Sequence, residues 1–296
     1  MNKRSGHEKR SPHQRNAAQK KSVRRAGKTP ETSSHPRSTS PVASNGSGDS
    51  AVRINKALAD AGICSRRAAD ELILQGAVVV NGDVVRTPGV KIVPGQDQLA
   101  VNGKVVTLQA ATAKTYTYLL MHKPVEVVTT ASDPEGRTTV IDLLPARYKK
   151  MRLFPVGRLD FFSEGLLLLT DDGALTHRLT HPSWHLPKTY TIRVRGDVTQ
   201  DALRVMREGM TLAEGEKLAP VQVEVVKSIP QGAVLEMTLI QGINRQIRRM
   251  CRDFGLVVLS LRRIQQGPIL LDDLEKGAVR SLSRSEVAAL YKAVDL

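Results

Sequence analysis

Gly157-Arg158-Leu159-Asp160 leads into Ser163-Glu164-Gly165-Leu166-Leu167-Leu168-Leu169-Thr170. The continuous apolar run predicts a buried strand, closed by a turn at Asp171-Asp172-Gly173 whose glycine tolerates positive φ. An arginine and a carboxylate beside such a strand are costly to bury unless they are paired or used. Asp160 is therefore the first candidate for chemistry, and it is expected to be buried.

Working outward, the chain has 296 residues, enough for one large or two modest domains. Hydrophobic residues make up 41% but aromatic residues only 3%, so aliphatic side chains must build the core. The 44 Lys and Arg outnumber 29 Asp and Glu, a formal charge of +15 that points to a polyanionic partner. No apolar stretch approaches the roughly 20 residues of a spanning helix, so no membrane span is expected. Met1-Asn2-Lys3-Arg4 lacks the apolar core of a secretory signal. Cys64 and Cys251 have neither disulfide nor metal spacing and read as small buried hydrophobes. These features suit a cytoplasmic protein.

Three regions follow from composition. Residues 1–50 hold eleven Lys and Arg against three Asp and Glu and almost no large aliphatic residues. Such a segment buries too little apolar area to offset chain entropy and is expected to be disordered. A basic arm for RNA and a solubilising extension are equally compatible with it.

In residues 51–107, Ile54, Ala57, Leu58 and Ala61 fall on helical spacing, and Gly62 ends that helix. Ser65 reads as the N-cap of a second helix with Ala68, Ala69, Leu72 and Ile73 inward, closed by Gly76. Arg66 and Arg67 stand in its first turn, where positive charge opposes the helix dipole, so local stability does not account for them. Two guanidiniums beside exposed helix-end amides suit a phosphate. Asn81-Gly82 and Asn102-Gly103 each separate β-branched runs, a strong hairpin signal. Two short helices followed by small hairpins resemble the alpha-L RNA-binding fold first described in ribosomal protein S-four. The segments that carry this likeness are Asn55-Lys56-Ala57-Leu58, Ser65-Arg66-Arg67-Ala68 and Val80-Asn81-Gly82. It implies RNA contact through Lys56, Arg66 and Arg67.

A Thr- and Ala-rich linker at 108–115 precedes the third region, 116–296. There Tyr190, Ile192 and Val194 share one strand face. Val221, Val223 and Val225 repeat the pattern, as do Leu235, Met237 and Leu239, and a helix over 201–208 intervenes. No βαβ series with glycine-rich phosphate loops appears. The expectation is an α+β protein: a small N-terminal RNA-binding domain, then a mixed, largely antiparallel sheet domain. Near Asn244 an amphipathic helix begins, with Ile247, Met250, Cys251 and Phe254 inward. Arg245, Arg248, Arg249 and Arg252 form a stripe that repels itself unless a carboxylate or RNA lies near. Arg248, nearest the apolar face, is the one most able to turn inward. His177, His181 and His185 are spaced four apart, but Pro182 breaks the helix and no acid or thiol joins them. No metal is expected there.

Several segments together resemble the RsuA-type ribosomal RNA pseudouridine synthases. These are Gly157-Arg158-Leu159-Asp160, Gly165 to Thr170, Lys188-Thr189-Tyr190 and Gln246-Ile247-Arg248-Arg249-Met250, supported by Lys123-Pro124, Gly136-Arg137-Thr138 and Asp142-Leu143-Leu144-Pro145. The likeness covers Val52 to the C-terminus. It implies isomerisation of a uridine in ribosomal RNA to pseudouridine, with no metal or organic cofactor. Asp160 would act as nucleophile or base, Arg248 would pair with it, and Tyr190 would stack on the uracil. Arg158 would fill the gap left by the flipped uridine. Lys188, Asn244, Arg245 and Arg249 would contact RNA. The residues leave open whether Asp160 attacks the sugar, attacks the ring or removes a sugar proton.

Some positions depart from the family pattern. Glu126 stands where a glycine commonly follows Lys-Pro-x, which puts that turn in question. Ser163 replaces threonine and keeps the hydroxyl. Gln241 and Ile243 replace a Glu and a basic residue, which bears on target choice. Three rival readings make distinct demands. A non-catalytic ribosome-assembly factor would be marked by loss of Asp160, Tyr190 or Arg248, yet all three are present. A methyltransferase needs a glycine-rich nucleotide loop, and a glycosidase needs two placed carboxylates. The expected partner is ribosomal RNA or an assembling ribosomal subunit, with no membrane. Large-subunit RNA is slightly favoured, and the protein is expected to be a monomer.

Overall fold

The four leucines of the central apolar run point alternately into two different cores, which is why the run is unbroken. Leu167 and Leu169 join the main core with Leu119, Met121, Ile192, Leu235 and Met250. Leu166 and Leu168 join a second core with Leu120, Leu179, Leu186 and Leu290. A strand covered on both faces cannot show the apolar–polar alternation of a half-exposed one.

The computed structural model describes residues 51–108 and 115–296. The basic tail and nearly all of the expected linker lie outside them. The N-terminal elements are β1 (Val52–Arg53), α1 (Ile54–Asp60), α2 (Arg66–Leu74), β2 (Val78–Val80), β3 (Asp83–Val85), β4 (Lys91–Ile92), β5 (Leu99–Val101) and β6 (Lys104–Val106). Gly62 and Gly76, at φ 77° and 73°, close α1 and α2. In each case the glycine and the next residue donate back to the helix: Gly62 to Ala59, Ile63 to Leu58, Gly76 to Ile73 and Ala77 to Leu72. Ser65 Oγ caps α2 by accepting from the Ala68 amide at 3.1 Å. Asn55 donates to both oxygens of Asp70, at 2.9 and 3.1 Å, tying α1 to α2. The sheet order is β3-β2-β5-β6. Both hairpins turn through residues with positive φ, Asn81-Gly82 and Asn102-Gly103.

The remaining elements are β7 (Tyr118–Lys123), α3 (Ala146–Lys149), β8 (Phe154–Pro155), β9 (Glu164–Thr170), α4 (Gly173–Thr180), β10 (Lys188–Arg195), α5 (Gln200–Glu208), β11 (Gln222–Ile229), β12 (Gly232–Leu239), α6 (Gln246–Asp253), β13 (Val257–Gln266), β14 (Ile269–Leu270), β15 (Val279–Ser281) and α7 (Arg284–Lys292). The large sheet runs β11-β12-β10-β13-β9-β7-β15, with β14 beside β13 and β8 beside β9. Every pairing is antiparallel except β13 with β9. The α+β class and the mixed, mainly antiparallel sheet agree with the sequence reading.

That parallel joint positions the site. It spans only Arg262↔Glu164 and Arg263↔Gly165. Gly165 has φ 110°, and a Cβ there would stand 2.2 Å from the Arg263 carbonyl oxygen. Glycine is what lets the two halves of the sheet meet.

Two local expectations are corrected. Asp171-Asp172-Gly173 does not make a turn on a positive-φ glycine. Asp172 N-caps α4, accepting from the Ala174 and Leu175 amides at 3.0 Å, and Gly173 opens the helix. The same carboxylate accepts from the hydroxyls of Tyr118 and Tyr291, so it also fastens α7 to the sheet. Val225 is exposed, because a register shift between Val225 and Lys227 interrupts the alternation that buries Val221 and Val223. Among the described residues no helix is long and apolar enough to cross a membrane.

Candidate active site

The segment 159–163 enters β9 immediately before the parallel joint, and each of its five backbone carbonyls is bonded. Leu159 accepts from Thr129 Oγ1 at 2.7 Å. Asp160 accepts from the Ser163 amide at 3.0 Å, which closes a tight turn, and from Lys123 Nζ at 3.2 Å. Phe161 accepts from the Glu126 amide at 2.7 Å. Phe162 accepts from Arg248 Nη2 at 2.8 Å, and Ser163 from Lys123 Nζ at 2.9 Å. The turn is thus held from three directions by groups distant in sequence.

The Asp160 carboxylate itself is left free. It makes no hydrogen bond among the described residues, and its side chain is 32% exposed. This corrects the expected buried position. Asp160 is half-buried, and water reaches its side chain. The expected partner is corrected too. The nearest cation is Arg245, with Nη1 3.8 Å from Oδ2, beyond hydrogen-bond range. Arg245 occupies the N-cap of α6 at φ 52°, a left-handed conformation unusual for a non-glycine residue. Arg248 does turn inward, but it grips the Phe162 carbonyl. Burial and the neighbouring Arg245 charge lower its pKa, while the Asp160 charge acts the other way.

Lys123 is fully buried, and the sequence reading gave it no role. Its amine donates to the carbonyls of Pro124, Asp160 and Ser163 at 2.9, 3.2 and 2.9 Å. Burial pushes its pKa down to about 8, with the Asp160 and Glu164 charges opposing that shift. A lysine ending a mainly apolar strand, within the Lys123-Pro124 pair that shares in the family likeness, was the signal available in the sequence. Glu126, at φ 61°, keeps the left-handed turn despite replacing the usual glycine, and so keeps its amide on Phe161.

Tyr190 lies on the row of paired residues Met237–Tyr190–Arg263–Gly165–Lys123, which crosses five strands. It is 9% exposed, and its hydroxyl has no partner among the described residues. Arg263, buried beside it, donates to the Leu166 carbonyl at 2.8 Å. Lys188, expected at RNA, is not fully exposed. It is half-buried and donates to the Leu186 carbonyl at 2.7 Å. Burial, then the Arg263 charge, brings its pKa to about 8.

The arginine stripe on α6 divides. Arg249 is paired with Glu216 at 2.6 Å and Glu214 at 3.1 Å, so its expected RNA contact is already occupied by carboxylates. Arg252 pairs with Glu214 and Asp253 at 2.7 and 2.6 Å. Arg158 and Asn244 are exposed, and Arg158 has no ion-pair partner among the described residues. In the small domain Arg66 and Arg67 are exposed, while Lys56 pairs with Asp60. His177 and His181 place their rings 5.2 Å apart, and His181 bonds to Ser183 at 2.6 Å.

A family model described as RNA pseudouridylate synthase matches residues 117–253, and an S4-domain model matches 52–99. An uncharacterized RNA pseudouridine synthase of Aquifex aeolicus (strain VF5) is 42% identical over 246 residues, 83% of this chain and 96% of that protein. The chain belongs to the RNA pseudouridine synthases. Another member, the ribosomal large subunit pseudouridine synthase B of Bacillus subtilis (strain 168), is 38% identical over 82% of this chain and 97% of its own. A crystal structure of a pseudouridylate synthase superposes with a TM-score of 0.58 at 29% identity, over 81% of this chain and 99% of that one. As a pseudouridine synthase the protein is an isomerase, and its N-terminal S4 domain is an RNA-binding module.

Proposed function

We propose that this pseudouridine synthase converts one uridine of ribosomal RNA, free or in an assembling subunit, to pseudouridine, and that large-subunit RNA is its preferred substrate. The B. subtilis relative, named for the large subunit and matched along nearly its whole length, supports that choice. In this reading residues 51–107 hold RNA, 116–296 carry the reaction, and the protein works as a cytoplasmic monomer without cofactor. The observation that carries it is the turn at 159–163. Five bonded carbonyls fix the backbone while the Asp160 carboxylate keeps its lone pairs for substrate.

Asp160 acts as nucleophile or base on a uridine extracted from its stack. The bond from the sugar to N1 breaks, the base turns, C5 joins the sugar, and the C5 proton leaves. Tyr190 lies against the uracil, Arg158 fills the vacated stack, and Arg245 and Asn244 meet the backbone. Arg248 acts through the turn by fixing Phe162. The test is tritium release from C5-labelled large- and small-subunit transcripts assayed separately. About one equivalent from the large-subunit RNA alone is the expected result. Release from the small-subunit RNA alone would reassign the substrate, and none from either would overturn the enzymatic reading on free RNA.

A further inference from the structure

Aromatic side chains are scarce in this chain: four phenylalanines, five tyrosines and one tryptophan. Of all these rings only Phe162 is exposed, at 57%. The others are buried or half-buried, and even Trp184 is covered by the Arg178 guanidinium 4.3 Å above its ring. A single exposed apolar side chain usually needs no explanation. This one has three features that ask for one.

First, Phe162 stands at the corner of the Asp160 turn, two residues from the free carboxylate. Second, it is held in place. Its carbonyl is gripped by Arg248, and its ring packs edge-on against Phe161 at 5.0 Å and 84°. Phe161 is in turn tied to Glu126 through its own carbonyl. The backbone that carries the ring is therefore fixed while the ring stays exposed, which lowers the ordering cost of stacking. Third, its surroundings are cationic and partly apolar. Arg158 and Arg245 are exposed beside the turn, and Val125, the neighbour of Glu126, is 43% exposed. An exposed aromatic ring on a turn close to exposed guanidiniums is a combination that suits a single-stranded nucleobase, the ring taking the base and the cations its phosphates.

We infer that Phe162 stacks on the base next to the target uridine, holding the strand beside the extracted nucleotide while Asp160 reacts. The inference rests on the proposed role of Asp160. Phe162 belongs to substrate positioning, so its loss should appear in KM and leave kcat nearly unchanged.

Two measurements on the full-length protein test it. One is the kinetics of tritium release from the large-subunit transcript. The other is quenching of a single 2-aminopurine placed inside a uridine-rich single-stranded RNA, which reports stacking whether or not the RNA is turned over. Stacking on an aromatic residue corresponds to about 5- to 150-fold in affinity. Phe162→Ala is expected to raise KM about tenfold and to abolish much of the quenching. Phe162→Trp should restore both, whereas Phe162→Leu, equally apolar but without a π-face, should not. An unchanged thermal midpoint for Phe162→Ala is expected at so exposed a position. Quenching and KM unaltered in Phe162→Ala, or normal in Phe162→Leu, would overturn the inference. If the wild type releases no tritium, the proposed reaction fails, yet the quenching comparison still decides the stacking.

Discussion

The two ends of helix α6 carry the same residue type and do opposite things with it. At the N-terminal end, Arg245 and Arg248 reach toward the Asp160 turn, one standing 3.8 Å from its carboxylate and the other holding the Phe162 carbonyl. One turn further on, Arg249 and Arg252 are bound by Glu214, Glu216 and Asp253. Arg252 beside Glu214 holds that carboxyl at about 2, so Glu214 stays ionised well into the acid range. Charge on a helix face therefore says little about which of its cations are already paired. The loop that packs against the helix decides it.

The comparison breaks most sharply at Asp160. Asp160→Asn keeps the turn, since none of the hydrogen bonds that fix it uses the Asp160 side chain, and it removes the negative charge. Tritium release should vanish while RNA affinity in a filter-binding assay stays nearly intact. Substantial turnover in this variant would take Asp160 out of the reaction.

Next in size is Arg248. Its truncation frees the Phe162 carbonyl and lets the turn drift. A displacement of about 1 Å in a catalytic group costs roughly 10²-fold in rate. Arg248→Ala should lose about that much in kcat with little change in RNA affinity. A loss below tenfold would mean that the bonds to the other four carbonyls hold the turn alone.

Lys123 sharpens the same point through pH. Charged, it has three donors for its three carbonyls; neutral, it has two. As pH rises through about 8, one anchor of the Asp160 turn is lost and kcat should decline. Stability should move the other way. The folded-state pKa, about 8, lies below the ordinary 10.5. Between those values the unfolded chain binds more protons, so the Lys123 contribution rises with pH. Lys188, also about 8, adds a rise of the same sign. Lys123→Met should be slow at pH 7 and lack this alkaline decline. A wild-type rate that holds steady from pH 7 to 9 would remove Lys123 from the anchoring of the turn.

What the sequence disclosed and what it hid divide along the range of the interactions. The cap of α2, the glycine stops of α1 and α2, both Asn-Gly hairpins and the apolar face of α6 depend on residues within one or two turns, and they were legible. Asp172 was misread because an acidic residue before glycine signals a turn and a helix cap alike. The role of Lys123 was hidden because its partners Asp160 and Ser163 lie 37 and 40 residues away. Asp160 was placed too deep because strand periodicity shows where β9 is buried but not where its preceding turn emerges. The pairing of Asp160 with Arg245 turned on the left-handed backbone of Arg245, which no local preference of arginine would suggest.

The smallest expected effect tests the two ends of α6 directly. If the Glu214 and Glu216 loop has taken Arg249 out of RNA binding, its loss removes no phosphate contact. Each such contact contributes about one unit to the slope of log affinity against log salt. Arg245→Ala, which removes the exposed cation proposed to meet the RNA backbone at the other end of α6, should flatten that slope by about one. Arg249→Ala should leave it unchanged, and turnover should stay within about twofold, since ion pairs near the surface contribute little. A slope that flattens equally in both variants would show that RNA displaces the two glutamates on binding. The carboxylates would then be a cover over the basic stripe, and both ends of the helix would serve the substrate.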